Sequence, residues 1–539
     1  MPTVIIDGRT LEVEAGTNLI DAANRVGVQI PHYCYHPRLS VVGQCRMCLV
    51  KVEGMRGLQP GCTTQVMKDG MVVSVDDDDV RAAQDGMMEF FLINHPLDCP
   101  ICDQAGECGL QDYSFKHGQA FSRFRYEEKR IYPGKERIPL GPHVVLNMNR
   151  CIQCTRCVRF TEEITQTGEL GFFQRGARAE IGVFPGKVLD NDLSTCVVDI
   201  CPVGALTSTR FRFAERVWYL DKKPSICGGC DAGCNITIEH RRGKIRRYKP
   251  RFNAAVNDYW MCDHGRGSHE RYADADRLTA PTVRRRGEAM AVTWSDALGE
   301  ASRSFFNASS EGAAVFLASG FLTTEEGFLL ARLARMLGAG SRFTLREEGP
   351  KRHIPTLAGG VTGGEISPNR RGVELAGMTP ETDAPITLED LLEGDGAERC
   401  HLLWVADSDP GSRLHQPEVV ERLRRAQRLV VMGWAATPLT EVADVVLPIR
   451  PHAEKDGTFV NVDRRIQRLE AAFPGPTGVR AGIDVLTDLL GTLDRRWKEL
   501  SLEEVFDRLA ETVDDLNGHG LDDLPVDGLA LSERLEESA

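Results

Sequence analysis

Sixteen of the 17 cysteines in this chain lie before residue 263, and most of them fall into four tight groups. The N-terminus shows neither a basic segment nor an apolar leader, so we expect a protein that is not exported and that resides in a reducing compartment. There, grouped cysteines are metal ligands more often than disulfides. The groups therefore predict a fold organised around several metal centres in succession.

Composition narrows the class of protein further. A length of 539 residues predicts several domains, and a hydrophobic content of 42% is sufficient for packed cores. The net charge of −13 argues against a nucleic-acid partner or an anionic membrane surface. No apolar run approaches the roughly 18 residues that span a bilayer, so we expect no direct membrane insertion.

The first ligand set follows a predicted hairpin and a predicted helix over residues 18–26, which is how a β-grasp fold begins. Its members are Cys34, Cys45, Cys48 and Cys62. A long loop holding a Cys-x-x-Cys pair and a more distant cysteine is the plant-type ferredoxin arrangement with altered spacings. We interpret this set as the ligands of a [2Fe–2S] cluster; a zinc site or unligated thiols are the alternatives.

The second set lies in the phrase HPLDCPICDQAGEC, which follows a predicted helix over residues 80–93. Its members are His95, Cys99, Cys102 and Cys108. One imidazole and three thiolates can hold a [4Fe–4S] cluster, and the neutral imidazole makes the site less negative, which raises its potential. His117 is a competing candidate, although it lies beyond the tight loop.

The third set combines a Cys-x-x-Cys-x-x-Cys run with a later cysteine, and it predicts one [4Fe–4S] cluster closed across an insertion. The run is Cys151, Cys154 and Cys157. Cys201 and Cys196 compete for the fourth place. We favour Cys201 because Pro202 and Gly204 provide a sharp turn for a ligand loop. Cys196 has the character of a small buried apolar residue.

The fourth set has three closely spaced cysteines and one distant cysteine. Its members are Cys227, Cys230, Cys234 and Cys262. Zinc accepts four thiolates, but a single distant fourth ligand favours a [4Fe–4S] cluster. The four sets use every cysteine except Cys196 and Cys400, and we interpret Cys400 as structural.

After Cys262 the pattern changes to alternating strands and helices. Strands are predicted over 313–318, 401–405 and 428–432, and helices over 323–337 and 418–426. This alternation predicts a doubly wound parallel sheet. Neither a G-x-G-x-x-G phrase after a strand nor a Walker A motif is present in the sequence.

The order and spacing of these sets resemble the G-subunit family of bacterial NADH-quinone oxidoreductases, the counterparts of the 75 kDa subunit of mitochondrial complex I. HPLDCPICDQAGEC and DICPVGA at 199–205 are close to the phrases of that family. The later phrase EKDGTFVNVDRRIQ, at 454–467, is similar to a phrase of molybdopterin oxidoreductases. Arg464 stands where that phrase has glycine.

The resemblance implies a multidomain α+β fold with a β-grasp N-terminal domain, iron–sulfur middle domains and a molybdopterin-oxidoreductase-like α/β domain. The expected segments are 1–78 for the [2Fe–2S] ferredoxin-type domain, 79–118 for the [4Fe–4S] domain with one histidine and three cysteine ligands, 119–219 for the next [4Fe–4S] domain, 220–276 for a [4Fe–4S] domain of the molybdopterin-oxidoreductase type, 277–495 for a cofactor-free α/β domain, and 496–539 for a tail with an exposed helix and a flexible end.

The resemblance also implies cofactors: one [2Fe–2S] cluster and three [4Fe–4S] clusters, with no molybdenum cofactor. Only 277 residues follow Cys262, and no cysteine there is placed to ligate molybdenum, although a serine or aspartate ligand stays open. Arg150, Arg156 and Arg159 surround the third set. Electrostatic support of a reduced cluster is one role open to them, and ordinary solvation or salt bridging is the other.

The implied function is electron transfer within a respiratory NADH:quinone oxidoreductase, a translocating enzyme. Electrons would come from a partner flavoprotein carrying FMN, pass through the first, third and second sites, and reach quinone through other partner subunits. The chain would be cytoplasmic and attached to the inner membrane through those partners. The alternatives are the large subunit of an NAD-linked formate dehydrogenase, an electron-transfer subunit of a soluble NAD-linked hydrogenase, and a non-redox zinc-binding module.

Overall fold

The computed structural model describes residues 1–311, 313–355, 360, 362, 364–406 and 409–532. The chain divides into two compact units, Met1–Leu220 and Asp221–Ala539. Among the described helices, none combines the length and the apolar character that crossing a membrane requires.

The N-terminal unit begins with a five-stranded sheet and one helix, as predicted for a β-grasp fold. Its elements are β1 Thr3–Ile6, β2 Arg9–Glu12, α1 Leu19–Arg25, β3 Leu49–Val52, β4 Leu58–Pro60 and β5 Met71–Ser74. The strand order is β2-β1-β5-β3-β4, with β1 parallel to β5. Asp7 and Gly8 both have positive φ, 45° and 79°, which is the Asp-Gly turn that a two-residue hairpin requires.

The remainder of this unit consists of short elements that carry long ligand loops. The elements are α2 Asp78–Ile93, α3 Gly109–His117, β6 Ile138–Pro139, β7 Val144–Leu146, α4 Arg156–Arg159, β8 Leu170–Phe173, β9 Glu180–Val183, α5 Cys196–Ile200 and β10 Leu206–Ser208. A π-helical turn, Phe160–Ile164, extends α4. β10 pairs with β7, so residues on either side of the predicted insertion are joined in one small sheet.

The second unit opens with a three-stranded antiparallel meander. Its elements are β11 Asp221–Ile226, β12 Asn235–Arg241 and β13 Lys244–Pro250, followed by α6 Asp263–Gly267 and α7 Glu270–Asp274. The turn between β11 and β12 contains the closely spaced cysteines of the fourth set, and α6 begins directly after Cys262.

A seven-stranded sheet forms the body of the second unit. Its elements are β14 Thr282–Arg285, β15 Glu288–Ala291, α8 Trp294–Glu311, β16 Ala313–Ser319, α9 Thr324–Met336, β17 Ser341–Leu345, α10 Arg370–Leu375, α11 Leu388–Leu392, β18 Cys400–Ala406, α12 Pro417–Leu423, β19 Leu429–Gly433, α13 Pro438–Val442 and β20 Val445–Pro448. The order is β15-β14-β20-β19-β18-β16-β17, and the strands from β20 to β17 are parallel.

Both faces of this sheet are covered. In β16, Phe316 packs into the core formed with α8 and α9, whereas Val315 and Leu317 pack toward α11, α12 and α13. The last elements are β21 Gly457–Val460, β22 Arg465–Leu469, α14 Gly482–Leu493, α15 Leu502–Ala510 and β23 Leu529–Ala530. The prediction of a doubly wound α/β domain is confirmed, and the predicted strands and helices differ from the observed ones by a few residues at their ends.

The predicted tail requires a correction. Its helix, α15, is not an exposed helix, because Val505, Phe506 and Leu509 are buried in the same core as α9 and α14. These positions recur at the i, i+1, i+4 spacing of an apolar helical stripe. Residues 533–539, where a flexible end was predicted, lie outside the described residues.

A buried ion pair anchors α9 to the segment before β21. Lys455 Nζ lies 2.6 Å from Glu326 Oε2, and both side chains are almost fully excluded from solvent. The same carboxylate accepts the backbone N–H of Thr323, whose hydroxyl in turn accepts the N–H of Glu326. This reciprocal cap begins α9 at the end of β16.

Replacing Lys455 with methionine leaves the Glu326 carboxylate buried without its cation. We expect the substitution to lower the free energy of unfolding by about 3 kcal/mol or more. The measurement is chemical denaturation of the full-length chain. Arg424→Ala is the control, because its pair with Glu421 is half-exposed on both sides and should contribute less than about 1 kcal/mol. Equal, small effects of the two substitutions would contradict the assignment.

Candidate iron–sulfur sites

The first set forms two pairs of buried thiols. The Cys34 thiol donates to the Cys45 sulfur, which also accepts backbone N–H groups of Tyr33 and Met47. These donors lower the pKa of Cys45 to about 5, although burial opposes them. Cys48 and Cys62 form the second pair, in which the hydrogen bond lowers the pKa of Cys62. Thiols held next to N–H donors in this way fit iron ligands, because N–H···S bonds stabilise thiolates.

The loop of the second set follows the C-terminus of α2. Cys102 and Cys108 are buried, whereas Cys99 is exposed. Burial, with Arg150 and Lys129 nearby, lowers the pKa of His95 to about 4, so its imidazole is neutral near pH 7 as a metal ligand requires.

A cavity of about 480 Å³ lies against this loop, and three of the four predicted ligands, His95, Cys99 and Cys108, line it. His117 does not line this cavity. It is the last residue of α3, and its ring packs edge-on against Tyr113, with 5.9 Å between the ring centroids. The geometry therefore supports His95 over His117 as the candidate ligand.

The third set meets in one small cavity. Its lining includes all four candidate ligands, Cys151, Cys154, Cys157 and Cys201. The other walls are mostly aliphatic side chains, and Cys151 and Cys201 stay partly exposed to solvent. Cys196 does not line this cavity; it is fully buried at the start of α5. Burial raises the pKa of each of the four lining thiols, that of Cys201 to about 12. Such thiols ionise when a bound cation compensates the lost solvation, which fits a metal centre.

The backbone of the first and third loops is forced into the left-handed region between ligands. Arg46 has φ 54°, Gln153 φ 58° and Thr155 φ 60°. For residues other than glycine this conformation costs about 1–2 kcal/mol each. Strained backbone of this kind persists only where the surrounding contacts hold it in place, which is typical of ligand loops.

Two arginines of α4 join the first loop to the third. Arg159 Nη2 donates to the carbonyl oxygens of Cys34, at 2.5 Å, and Cys154, at 3.3 Å. Arg156 donates to the carbonyls of Tyr35 and Ile200. These guanidinium groups therefore hold the two ligand loops together, a role that their sequence positions did not reveal.

Arg150 links the third loop to the second. It is buried, and its guanidinium pairs with Asp98, the residue before Cys99, at 2.9 Å. Arg150 therefore has the salt bridge that was one of the expected roles, whereas Arg156 and Arg159 hydrogen-bond to loop carbonyls.

The fourth set lies at one end of the β11–β12 hairpin. The N–H of Cys227 donates to the carbonyl of Cys234 at 2.8 Å, and the Cys262 sulfur accepts the N–H of Gly265 at 3.3 Å. A Cβ on Gly265 would lie 3.1 Å from the Cys227 sulfur, so this glycine allows the backbone to approach the set closely. All four cysteines are buried, and burial raises the pKa of Cys227 to about 12.

The remaining cysteine is remote from these sets. Cys400 begins β18, is fully buried, and its thiol donates to the carbonyl of Gly396 at 3.3 Å. Among the described residues, no group of three or more His, Cys, Asp or Glu side chains is arranged as a metal-ion site. The ligand assignments stay predictions, and the contacts above are what supports them.

Family models match five segments of the chain. They are a 2Fe-2S iron-sulfur cluster binding domain at 2–78, an NADH-ubiquinone oxidoreductase-G iron-sulfur binding region at 84–123, a ferredoxin-like domain of NADH-quinone oxidoreductase subunit 3 at 141–207, a molybdopterin oxidoreductase Fe4S4 domain at 220–274, and molybdopterin oxidoreductase at 369–492. Each predicted ligand set falls within one of the first four. The predicted fold class is confirmed.

Curated relatives carry the names that the motifs predicted. The G subunit of the NADH-quinone oxidoreductase of Rickettsia typhi is 40% identical over 344 residues, 63% of this chain and 50% of the relative. The G subunit of the Streptomyces coelicolor enzyme is 40% identical over 62% of this chain and 39% of the relative. The mitochondrial NADH-ubiquinone oxidoreductase 78 kDa subunit of Neurospora crassa is 42% identical over 66% and 47%. The predicted resemblance is confirmed, and the chain spans about half or less of the length of these relatives.

One solved structure is also similar. A chain of the NAD+-reducing [NiFe]-hydrogenase in the H2-reduced state is 27% identical, with 40% of this chain and 91% of that chain covered, at a TM-score of 0.35. A TM-score this low carries no argument for a hydrogenase role.

The cavity of the third set predicts which cysteine completes it. Cys201→Ala should remove one [4Fe–4S] cluster, about four iron atoms per chain, because its sulfur is one of four that bound the cavity. Cys196→Ala should leave the iron content unchanged. Iron analysis and EPR of the reduced, anaerobically purified variants provide the measurement. Loss of iron in Cys196→Ala with full iron in Cys201→Ala would reverse the assignment.

Proposed function

We propose that this chain is an iron–sulfur electron-transfer subunit of a respiratory NADH:quinone oxidoreductase. The observation that carries the proposal is the direct contact between three ligand loops within the N-terminal unit. Arg159 joins the first loop to the third, and Arg150 joins the third to the second. Because these contacts hold neighbouring ligand loops together, the arrangement is compatible with electron transfer from one site to the next.

The cofactors would be one [2Fe–2S] cluster at the first set and [4Fe–4S] clusters at the other three. Bound iron–sulfur clusters supply reversible one-electron chemistry. The chain's own residues do the rest: buried thiols hold the sites, and N–H groups donate to sulfur. The neutral His95 imidazole makes the second site less negative than four thiolates would.

The partners follow from what the residues supply. The sequence shows no nucleotide-binding motif, so NADH oxidation falls to a flavoprotein subunit carrying FMN, and quinone reduction falls to other subunits of the same complex. The curated relatives named as subunits of this oxidoreductase support other subunits of the complex as partners. The chain would be held at the cytoplasmic face of the membrane by those partners.

The C-terminal domain would serve as a scaffold without a molybdenum cofactor. A doubly wound sheet binds ligands beyond the carboxyl ends of its strands, at the switch point, here between β16 and β18. The loops that follow β17 and β18 are joined at the carboxyl edge of the sheet, because Glu347 accepts the hydroxyl of Ser412 at 2.6 Å and the N–H of Arg413. Both Glu347 and Ser412 are buried.

A second candidate is the large subunit of an NAD-linked formate dehydrogenase. The match of residues 369–492 to molybdopterin oxidoreductase is the observation that favours it. This candidate requires molybdenum, which the scaffold role excludes, so metal content separates the two.

The test is iron, zinc and molybdenum analysis of the anaerobically purified chain, with EPR of the reduced sample. The proposal predicts about 14 iron atoms, overlapping [2Fe–2S] and [4Fe–4S] signals and no stoichiometric molybdenum. Cys400→Ala is the control, since its buried thiol lies outside the ligand sets. Stoichiometric molybdenum would overturn the electron-transfer role in favour of a catalytic one. Zinc in place of four irons would make the fourth set structural.

A further inference from the structure

The segment after Cys201 lies directly on the loop of the second set. The Pro202 carbonyl accepts the N–H of Gly109, the first residue of α3, at 3.1 Å. The Cys108 sulfur lies 3.8 Å from the same carbonyl oxygen. A candidate ligand of the third site and a candidate ligand of the second are therefore separated by one backbone segment.

Gly204 makes the closest approach of that segment to the second set. A Cβ built on Gly204 would lie 2.2 Å from the Cys102 sulfur and 3.1 Å from Gln104 Cβ. Ordinary contact requires about 3.5 Å or more, so any side chain would displace the sulfur by about 1 Å. Gly204 does not have a left-handed φ, so space, and not backbone conformation, requires glycine here.

Hydrogen bonds fix the Pro202–Gly204 segment and the second loop in place on both sides of their contact. The carbonyl of Ala205 accepts the N–H of Asn147 at 2.7 Å, and β10 then pairs with β7. On the other side, Arg216 Nη1 donates to the carbonyl of Cys102 at 2.8 Å. Both partners of the contact are thus fixed by hydrogen bonds of their own.

We propose that the Pro202–Gly204 segment is the bridge through which an electron passes between the third and second sites, and that Gly204 is a positioning residue for it. The inference rests on the proposed function. In this step the third site would lose one electron and the second would gain it, with no bond formed or broken. The segment contributes a continuous covalent path from Cys201 to Gly204 and then a van der Waals contact with the Cys102 sulfur.

The test is Gly204→Ala in the intact complex, mixed with NADH and freeze-quenched for EPR at successive times. The signal of the second site should appear at least severalfold more slowly than in the wild type, while those of the first and third sites appear on time. Dithionite titration should also show a shifted midpoint for the second site alone. Gly86→Ala is the matched control, because a Cβ there meets no atom within 4 Å. Wild-type kinetics in Gly204→Ala would overturn the bridge, whatever the midpoint.

A second measurement covers the case in which Gly204→Ala does not assemble. In the wild type, the spin relaxation of the reduced second site should be faster when the third site is also reduced, because the two sites are adjacent. Independent relaxation would overturn the proposal. Iron content separates failure of the proposed function from failure of the bridge. A wild type lacking iron at these sets contradicts the proposed function. A full complement of iron with Gly204→Ala kinetics equal to wild type contradicts the bridge alone.

Discussion

Burial deprives the clustered thiols of their solvation, and this constraint governs how the ligand loops are arranged. Most of the candidate ligand cysteines are buried, and in the third set burial raises the pKa of every thiol. Buried thiols become ligands only with a cation that compensates their lost solvation, so folding of the loops and binding of the metal are coupled. The left-handed residues Arg46, Gln153 and Thr155 add conformational cost to the same loops.

The polar contacts of the N-terminal unit follow from that constraint. Loops with little regular secondary structure leave many carbonyl groups to be satisfied, and arginine satisfies several at once with its planar set of donors. Arg159 bonds the carbonyls of two candidate ligands from different sets, and Arg150 pairs with the carboxylate beside a third. The same side chains that satisfy the backbone therefore also fix the spacing between neighbouring sites.

Cysteine spacing predicted the sets, and strand–helix alternation predicted the α/β sheet, because both are local patterns. Contacts between distant loops carry no such local signal. Gly204 was predicted as a turn residue, whereas its requirement for glycine comes from Cys102, about a hundred residues earlier. The apolar face of α15 gave no clear signal, because the segment around it is rich in acidic residues. Arg464, where the related phrase has glycine, keeps the left-handed φ of 58° that glycine adopts freely.

The proposed function requires iron at four particular ligand sets. Anomalous diffraction from crystals of the anaerobic protein, with data on both sides of the iron absorption edge, tests it most directly. The expected result is iron peaks bounded by the first and fourth sets, by Cys151, Cys154, Cys157 and Cys201, and by His95 with its three cysteines. Iron bound by His117 or Cys196, or a peak at the fourth set that appears only above the zinc edge, would contradict it.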